Sequence, residues 1–292
     1  MNLQPAQRVS PIQSPSEYVL PGRPDSAAST AVQDAYRQTQ FLIGGDLSLF
    51  AEAMNLQLGL VKDAYPSKYR THALAAITAL WSRVYGYLGD ALLLLTRGSY
   101  GSTLPLVRAA CEAIAAEEGL RSGEMDEHTK WLLNTLKPDE TFKAFEFELG
   151  RYFAGEVIAR DAVLRAVYRP TSDLGRPNFG ATLLQVAPES NNQRLAISFA
   201  DATFHLSWAE IGAGWLLALA LRQTRVVVDA DPVFPVSDER RAAYTDLQRR
   251  VDAALARDDR ARGEEVEQDG NRRYVVHGFR RTSGGAPKKV LL

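Results

Sequence analysis

The sequence contains a single cysteine, Cys111, among its 292 residues. One thiol can form neither an intramolecular disulfide nor a thiolate metal site, so the fold does not depend on an oxidising compartment. Cys111 lies in an apolar stretch without a nearby histidine in the sequence. We therefore expect a buried core residue rather than a nucleophile.

Long apolar runs are also missing. A membrane-spanning helix needs about 18 or more consecutive apolar residues, and the nearest candidate, residues 208–221, contains Glu210. The N-terminal segment is rich in proline, serine and glutamine and lacks the apolar core of a secretory signal. The sequence thus predicts a cytoplasmic protein without membrane contact, whose residues 1–28 form a disordered arm.

Charge of one sign is not in excess, because the formal net charge is −1 at pH 7. No overall field therefore draws the chain to nucleic acid. Lysine is scarce, with 7 residues against 27 arginines, a bias typical of GC-rich bacterial genomes. The hydrophobic fraction of 46% and the charged fraction of 24% are those of an ordinary globular protein.

Several signatures of catalytic or metal chemistry are absent from the sequence. No set of histidines, cysteines and carboxylates has structural-zinc spacing, and no Glu-x-x-His pair of the di-iron bundle type occurs. The GSYGST segment lacks the lysine of a phosphate-binding loop, and there is no Gly-x-Ser-x-Gly motif. We expect no metal and no cofactor.

Apolar residues recur instead at helical spacing over most of the chain, which predicts an all-α helical bundle. The most apolar part is a predicted hairpin of two long helices within residues 66–122, joined by a turn at 98–101. We expect this hairpin to be the core. Gly44 and Gly45 interrupt the first helix, Pro170 ends the regular helical pattern, and residues 181–199 are predicted to be a short β-hairpin or extended insertion.

The predicted organisation has four parts: the arm at 1–28, a helical bundle at 29–228, a linker and amphipathic helix at 229–262, and a basic C-terminal tail at 263–292. The tail is interpreted as loop-like and disordered, although its RYVVHGF segment is compatible with a strand. Six basic residues make the tail a candidate nucleic-acid or partner-binding arm: Arg272, Arg273, Arg280, Arg281, Lys288 and Lys289.

The most specific polar feature is Arg108 with Glu112, four residues apart in the second helix of the hairpin. Residues at this spacing share one helix face, so the two side chains can pair with each other or both contact a partner. An internal ion pair between helices is the simpler interpretation. A ligand-binding or catalytic role is the alternative.

The helix with its RAACEAIAAE segment and the later YRPTSDLGRPN segment resemble uncharacterised bacterial helical proteins of the DUF5677-like, HEPN-like kind, over about residues 70–220. The resemblance implies a helical bundle and extends the candidate cluster. Its full membership is Arg108, Glu112, Tyr168, Ser172, Asp173, Arg176 and Asn178. Arg176 stands where that group carries a histidine, which removes the general base of a ribonuclease. Arg121 with His128 and Arg272 with His277 have the loose Arg-to-His spacing of HEPN ribonucleases, a pattern expected by chance in so arginine-rich a chain.

These observations favour a non-catalytic helical protein that self-associates as a dimer and binds a protein or nucleic-acid partner. The resemblance implies a bacterial stress or defence setting. One alternative is a HEPN-type, metal-independent ribonuclease with a noncanonical site of Arg108, Glu112, Arg176 and Asn178. Another is a structural subunit of a larger assembly that uses the apolar faces around Trp208 and Trp215 together with the basic tail.

Overall fold

The computed structural model of the chain describes residues 13–64, 72–119, 121, 149–176, 193–194, 196–230, 234–268 and 270–291. Within these residues, seven α-helices precede a small antiparallel sheet. The helices are α1 (Thr30–Ala64), α2 (His72–Thr96), α3 (Tyr100–Gly119), α4 (Leu149–Arg160), α5 (Ala162–Leu174), α6 (Leu206–Val228) and α7 (Asp238–Leu255). The strands are β1 (Arg262–Gln268), β2 (Asn271–Phe279) and β3 (Lys288–Leu291). The prediction of a mainly helical protein is confirmed, and the sheet is an addition to it.

Helix α1 continues through Gly44 and Gly45, where the sequence predicts an interruption. The backbone is instead non-helical at Ile43, with φ −123° and ψ 21°, so the helix is kinked one residue earlier. Asp46 is a residue type that often caps the N-terminus of a helix, but here it lies within α1 rather than at the start of a helix. It is 2% exposed and faces the protein interior.

Helices α2 and α3 form the predicted hairpin and pack extensively on each other. Gly98 in the connecting turn has φ +74°, a conformation that favours glycine. A Cβ atom at this position would lie 2.3 Å from the carbonyl oxygen of Ala202, so the turn also needs glycine for close approach. Cys111 on α3 is fully buried, as expected, and burial raises the pKa of its thiol.

Helix α6 runs through the centre of the protein and packs on α1, α2 and α3. Of the described helices, it is the one long and apolar enough to cross a membrane, yet 78% of its most apolar window is buried inside the protein. Trp208 and Trp215 on this helix are 5% and 8% exposed. Both side chains are largely buried in the core, so neither helix face around them is a broadly exposed apolar surface.

Helices α4 and α5 follow one another with Asp161 between them, and Pro170 does not end the helical pattern as predicted. Helix α5 continues to Leu174, with Pro170 buried in its last turns. Proline removes one backbone hydrogen bond there, and the Thr171 hydroxyl donates to the Val167 carbonyl oxygen at 2.7 Å. Burial of this face offsets the lost bond. Most of the extended insertion predicted at 181–199 lies outside the described residues.

The segment from residue 262 is a sheet, not the loop-like disordered tail predicted for 263–292. Strand β2 contains the RYVVHGF segment, so the strand prediction made for it is confirmed. The β1–β2 hairpin pairs Gln268 with Asn271, and Gly270 between them has φ +72°, as two-residue hairpin turns require. Val276 is fully buried in the main hydrophobic core, which anchors the sheet to the helices, and Val275 on the opposite face of the strand is also buried.

The structure describes residues 13–28 of the arm that was predicted to be disordered, and this segment packs on the helices. The Tyr18 ring makes edge contacts with Phe50 on α1 and Tyr85 on α2, with ring centroids 5.7 and 6.0 Å apart. The Tyr18 amide donates to Asn55 Oδ1 at 2.8 Å, and Lys62 donates to the Ser16 carbonyl oxygen. Composition alone predicts disorder, but one aromatic anchor with backbone hydrogen bonds orders this segment.

We predict that Tyr18→Ala lowers the free energy of unfolding by about 2–3 kcal/mol, because it removes a partly buried aromatic ring from the α1–α2 surface. Val19 is 71% exposed on the same arm, and Val19→Ala is the matched control. Urea unfolding of both variants measures the difference. Equal stability of the two variants would mean that the arm does not pack in solution.

Candidate functional site

Three of the seven residues in the predicted cluster bond to one another. Arg108 and Glu112 lie on α3, and Tyr168 lies on α5. Arg108 Nη2 is 3.1 Å from Glu112 Oε1, and the Tyr168 hydroxyl donates to the same carboxylate oxygen at 3.3 Å. Arg108 Nη2 also donates to the Tyr168 hydroxyl at 3.4 Å, and the guanidinium carbon is 5.4 Å from the Tyr168 ring centroid. The cluster therefore links two helices.

The chemistry of this cluster is that of a brace. Burial lowers the pKa of Arg108, but the nearby Tyr168 and Glu112 outweigh it, so the net direction is upward and the guanidinium stays charged. The Arg108 and Glu112 side chains are 32% and 44% exposed. Exposed pairs of this kind contribute about 0–1 kcal/mol. The trio contains no histidine, the side chain that most often serves as a general base.

The other predicted members occupy different environments. Ser172 on α5 is buried, whereas Asp173 and Arg176 are exposed at and beyond the end of that helix. Asn178 lies outside the described residues, as does His128. His277, the other histidine of the Arg-to-His pattern, lies on β2 with its Nε2 atom 3.0 Å from Glu264 Oε2.

The six basic residues predicted as a binding arm divide into two sets. Arg280 and Arg281 turn inward: Arg280 Nη2 is 3.5 Å from Glu210 Oε1, and Arg281 Nη2 is 3.6 Å from Asp201 Oδ2. The exposed set is Arg273, Lys288 and Lys289. Arg272 pairs in register with Glu267 of the acidic strand β1. The basic tail is thus part of a sheet in which the acidic strand β1 pairs with the basic strand β2, which corrects its interpretation as a free arm.

A buried ionic network that the sequence does not predict joins α1, α6 and the start of the sheet. Arg260 is 4% exposed and pairs with Asp46 of α1, while it also donates to the Glu210 carbonyl oxygen on α6. Glu210 Oε2 accepts from the Ala261 amide at 2.9 Å. Burial raises the pKa of Glu210, which the Ala261 hydrogen bond and the charges of Arg280 and Arg260 partly offset.

A groove of about 380 Å³ lies beside this network, between α5 and α6. The end of α7 and the strands β1 and β2 complete its walls. Small residues line much of it: Ala162 and Ala166 on α5, and Gly214 and Ala218 on α6. Val163, Ile211 and Trp215 add larger apolar surface, and Val163 is 39% exposed at the groove.

Glu210, Arg260 and Tyr274 in the groove are bonded within the protein, whereas Arg262, which also lines it, is charged and exposed. Glu210 and Arg260 belong to the buried network described above. Burial raises the pKa of Tyr274 to about 12, partly offset by a hydrogen bond from the Trp215 indole. The space is therefore apolar, of the volume of known ligand pockets, and carries no unpaired charge among these three polar groups.

No protein-family model matches the chain, and no curated protein or solved structure shows significant similarity to it. Among the described residues, no group of three or more histidine, cysteine, aspartate or glutamate side chains is arranged to hold a metal ion.

We predict that Asp46→Ala lowers the free energy of unfolding by about 3–5 kcal/mol, because it leaves the Arg260 guanidinium buried without its partner. Asp246 on α7 pairs with Arg249 at the surface, where solvent screens the charge, so Asp246→Ala is the control and should change stability far less. Chemical denaturation of the two variants tests this. A small, equal loss in both would show that Arg260 is solvated in solution.

Proposed function

We propose that this chain is a non-catalytic binding protein whose groove between α5 and α6 receives an apolar segment of a partner polypeptide. The observation that carries the proposal is the groove itself, about 380 Å³ of apolar space held open by small side chains. Contiguous exposed apolar surface of this kind marks interaction sites in proteins.

The chemistry of the walls favours an apolar occupant. Most of the lining is apolar, and two of its charged residues, Glu210 and Arg260, are already engaged in the buried network behind the wall. A charged ligand would lose its hydration in the groove, and the buried network offers it no unpaired group, so Arg262 is the charged lining residue outside that network. An apolar side chain gains about 25 cal/mol per Å² of surface removed from water.

A polypeptide is favoured over nucleic acid for two reasons. The groove is flanked by helices α5 and α6, the arrangement in which proteins receive an amphipathic helix or an apolar peptide. Two of the six basic residues of the C-terminal segment are engaged by internal pairing, since Arg280 and Arg281 pair with Glu210 and Asp201, which leaves fewer for phosphate contact.

The test uses a groove-filling variant and the neutral apolar dye Nile red. Ala166 lies in the groove and is exposed, so Ala166→Trp fills the space without entering the core. We expect about a tenfold loss of dye affinity, equivalent to about 1.4 kcal/mol. Ala253 is exposed on α7 and lies outside the groove lining, so Ala253→Trp is the matched control and should bind the dye as the wild type does.

A photo-crosslinking amino acid at position 166 or at position 253 then tests for the polypeptide. The proposal predicts crosslinks to one defined partner segment from position 166 alone, reduced by competing Nile red. Equal dye binding by both tryptophan variants, or equal crosslinking from both positions, would contradict the groove as the binding site. A crosslink to a second copy of the chain would identify the partner as the chain itself.

The ribonuclease alternative draws support from one observation, the convergence of Tyr168 with Arg108 and Glu112. Under this alternative, RNA cleavage persists in EDTA and is lost in Arg108→Ala, because the guanidinium would contact the scissile phosphate. Arg160 is exposed on α4, and Arg160→Ala is the control for loss of a surface charge. Absence of cleavage at high protein concentration would exclude this alternative.

A further inference from the structure

A carboxyl group and an amide group face each other in the core between α3 and α6. Glu117 on α3 and Gln223 on α6 are both fully buried, with 0% exposure. Gln223 Nε2 donates to Glu117 Oε2 at 2.8 Å. The other oxygen of each group, Glu117 Oε1 and Gln223 Oε1, has no hydrogen-bond partner in the structure as described.

Both unpartnered atoms are hydrogen-bond acceptors, so the pair lacks a donor. An ionised carboxylate offers only acceptors, and an amide oxygen is also an acceptor. Two buried acceptors on a bonded pair cannot satisfy each other, and buried polar atoms are rarely left unsatisfied. One proton on Glu117 Oε1 resolves this, because a carboxylic acid and a primary amide then exchange two hydrogen bonds in a ring.

We propose that Glu117 is protonated in the folded protein and forms a two-bond acid–amide pair with Gln223 that joins α3 to α6 and keeps the groove wall in place. Burial raises the pKa of Glu117 to about 8, against the opposing effects of the Gln223 hydrogen bond and the charges of Arg222 and Arg121. The group thus ionises just above neutral pH.

The charged groups around Glu117 connect it to the groove. Arg222, next to Gln223 on α6, is paired with Glu118 of α3, and its Nε atom donates to Asp161 Oδ2 at 2.7 Å. Asp161 is the N-cap of α5, and its Oδ1 atom accepts from the Leu164 amide at 2.8 Å. On the other side, Arg121 Nη1 donates to the Asp229 carbonyl oxygen at 3.1 Å.

Ionisation of Glu117 therefore has a defined consequence. An ionised Glu117 carboxylate competes with Asp161 for the Arg222 guanidinium. The hydrogen-bonded ring between Glu117 and Gln223 also opens, because Glu117 no longer has a proton to donate. Asp161 directly precedes Ala162 and Val163, which line the groove. Weakening the Arg222–Asp161 bond loosens this end of α5. This last step rests on the proposed function, whereas the protonation of Glu117 does not.

Infrared difference spectroscopy tests the protonation directly. The wild type is expected to show the carbonyl band of a protonated carboxylic acid at about pH 6, and to lose it as the pH rises through about 8. Glu117→Gln should lack this band, whereas Glu156→Gln, a change at an exposed carboxylate on α4, should retain it. A wild-type spectrum without the band at about pH 6 would overturn the proposal.

The stability profile gives a second, independent readout. The folded pKa of about 8 exceeds the unfolded value of about 4.5, so the folded state holds the extra proton between these limits. The free energy of unfolding of the wild type should therefore fall relative to Glu117→Gln as the pH rises from about 4.5 to about 8, and the difference should then level off. The glutamine variant keeps the ring at every pH, because its amide supplies the donor permanently. A difference that does not change with pH would contradict the pair.

The double exchange Glu117→Gln with Gln223→Glu keeps the same atoms and reverses the partners. It should restore both the infrared band and the pH-dependent stability, which a generally disturbed core would not. For the groove, Nile red affinity should fall in the wild type as the pH rises through about 8 and stay constant in Glu117→Gln. A wild-type affinity for Nile red that does not change with pH would contradict the coupling between Glu117 ionisation and the groove. Whether the groove is the binding site at all is tested separately by Ala166→Trp.

Discussion

The buried pairing of Arg260 with Asp46 is the constraint on which the tertiary arrangement depends. A guanidinium that is 4% exposed is tolerated only where carboxylate and carbonyl oxygens surround it. Asp46 comes from α1, the Glu210 carbonyl comes from α6, and Arg260 lies at the entry to the sheet. Moving any of these three segments relative to the others would separate the buried Arg260 guanidinium from one of its partners. The groove lies beside this junction and takes its shape from it.

Much of the helical architecture follows from the sequence. The spacing of apolar residues predicts α2 and α3, and Gly98 marks the turn between them. The four-residue spacing of Arg108 and Glu112 correctly predicts their ion pair, because this relation is local to one helix. Tyr168, from the YRPTSDLGRPN segment, joins them across 56 residues of chain.

The sequence was uninformative where partners are distant. Arg260 lies in the segment ARDDRAR, whose composition is typical of a solvated surface. Nothing in the local sequence indicates that Arg260 pairs with Asp46, 214 residues away. One signal was available in Glu210, a carboxylate inside the most apolar stretch of the chain, since such a residue must find a partner. Another was Asp269-Gly270, a typical two-residue hairpin turn between segments of opposite charge. For both the C-terminal sheet and the N-terminal arm, the local composition predicts disorder, because the contacts that order them come from distant residues.

The path of the N-terminal arm has a mechanical consequence for α1. Asn55, which bonds to Tyr18, lies 25 residues along the helix from Thr30, about 37 Å for a straight helix at 1.5 Å per residue. The twelve residues from Tyr18 to Thr30 span at most about 40 Å when fully extended, and a turn from Asp25 to Ala28 shortens their reach. The arm is thus a nearly taut chord across the bend at Ile43. Straightening α1 at this bend would require the arm to extend further, so the arm opposes that motion.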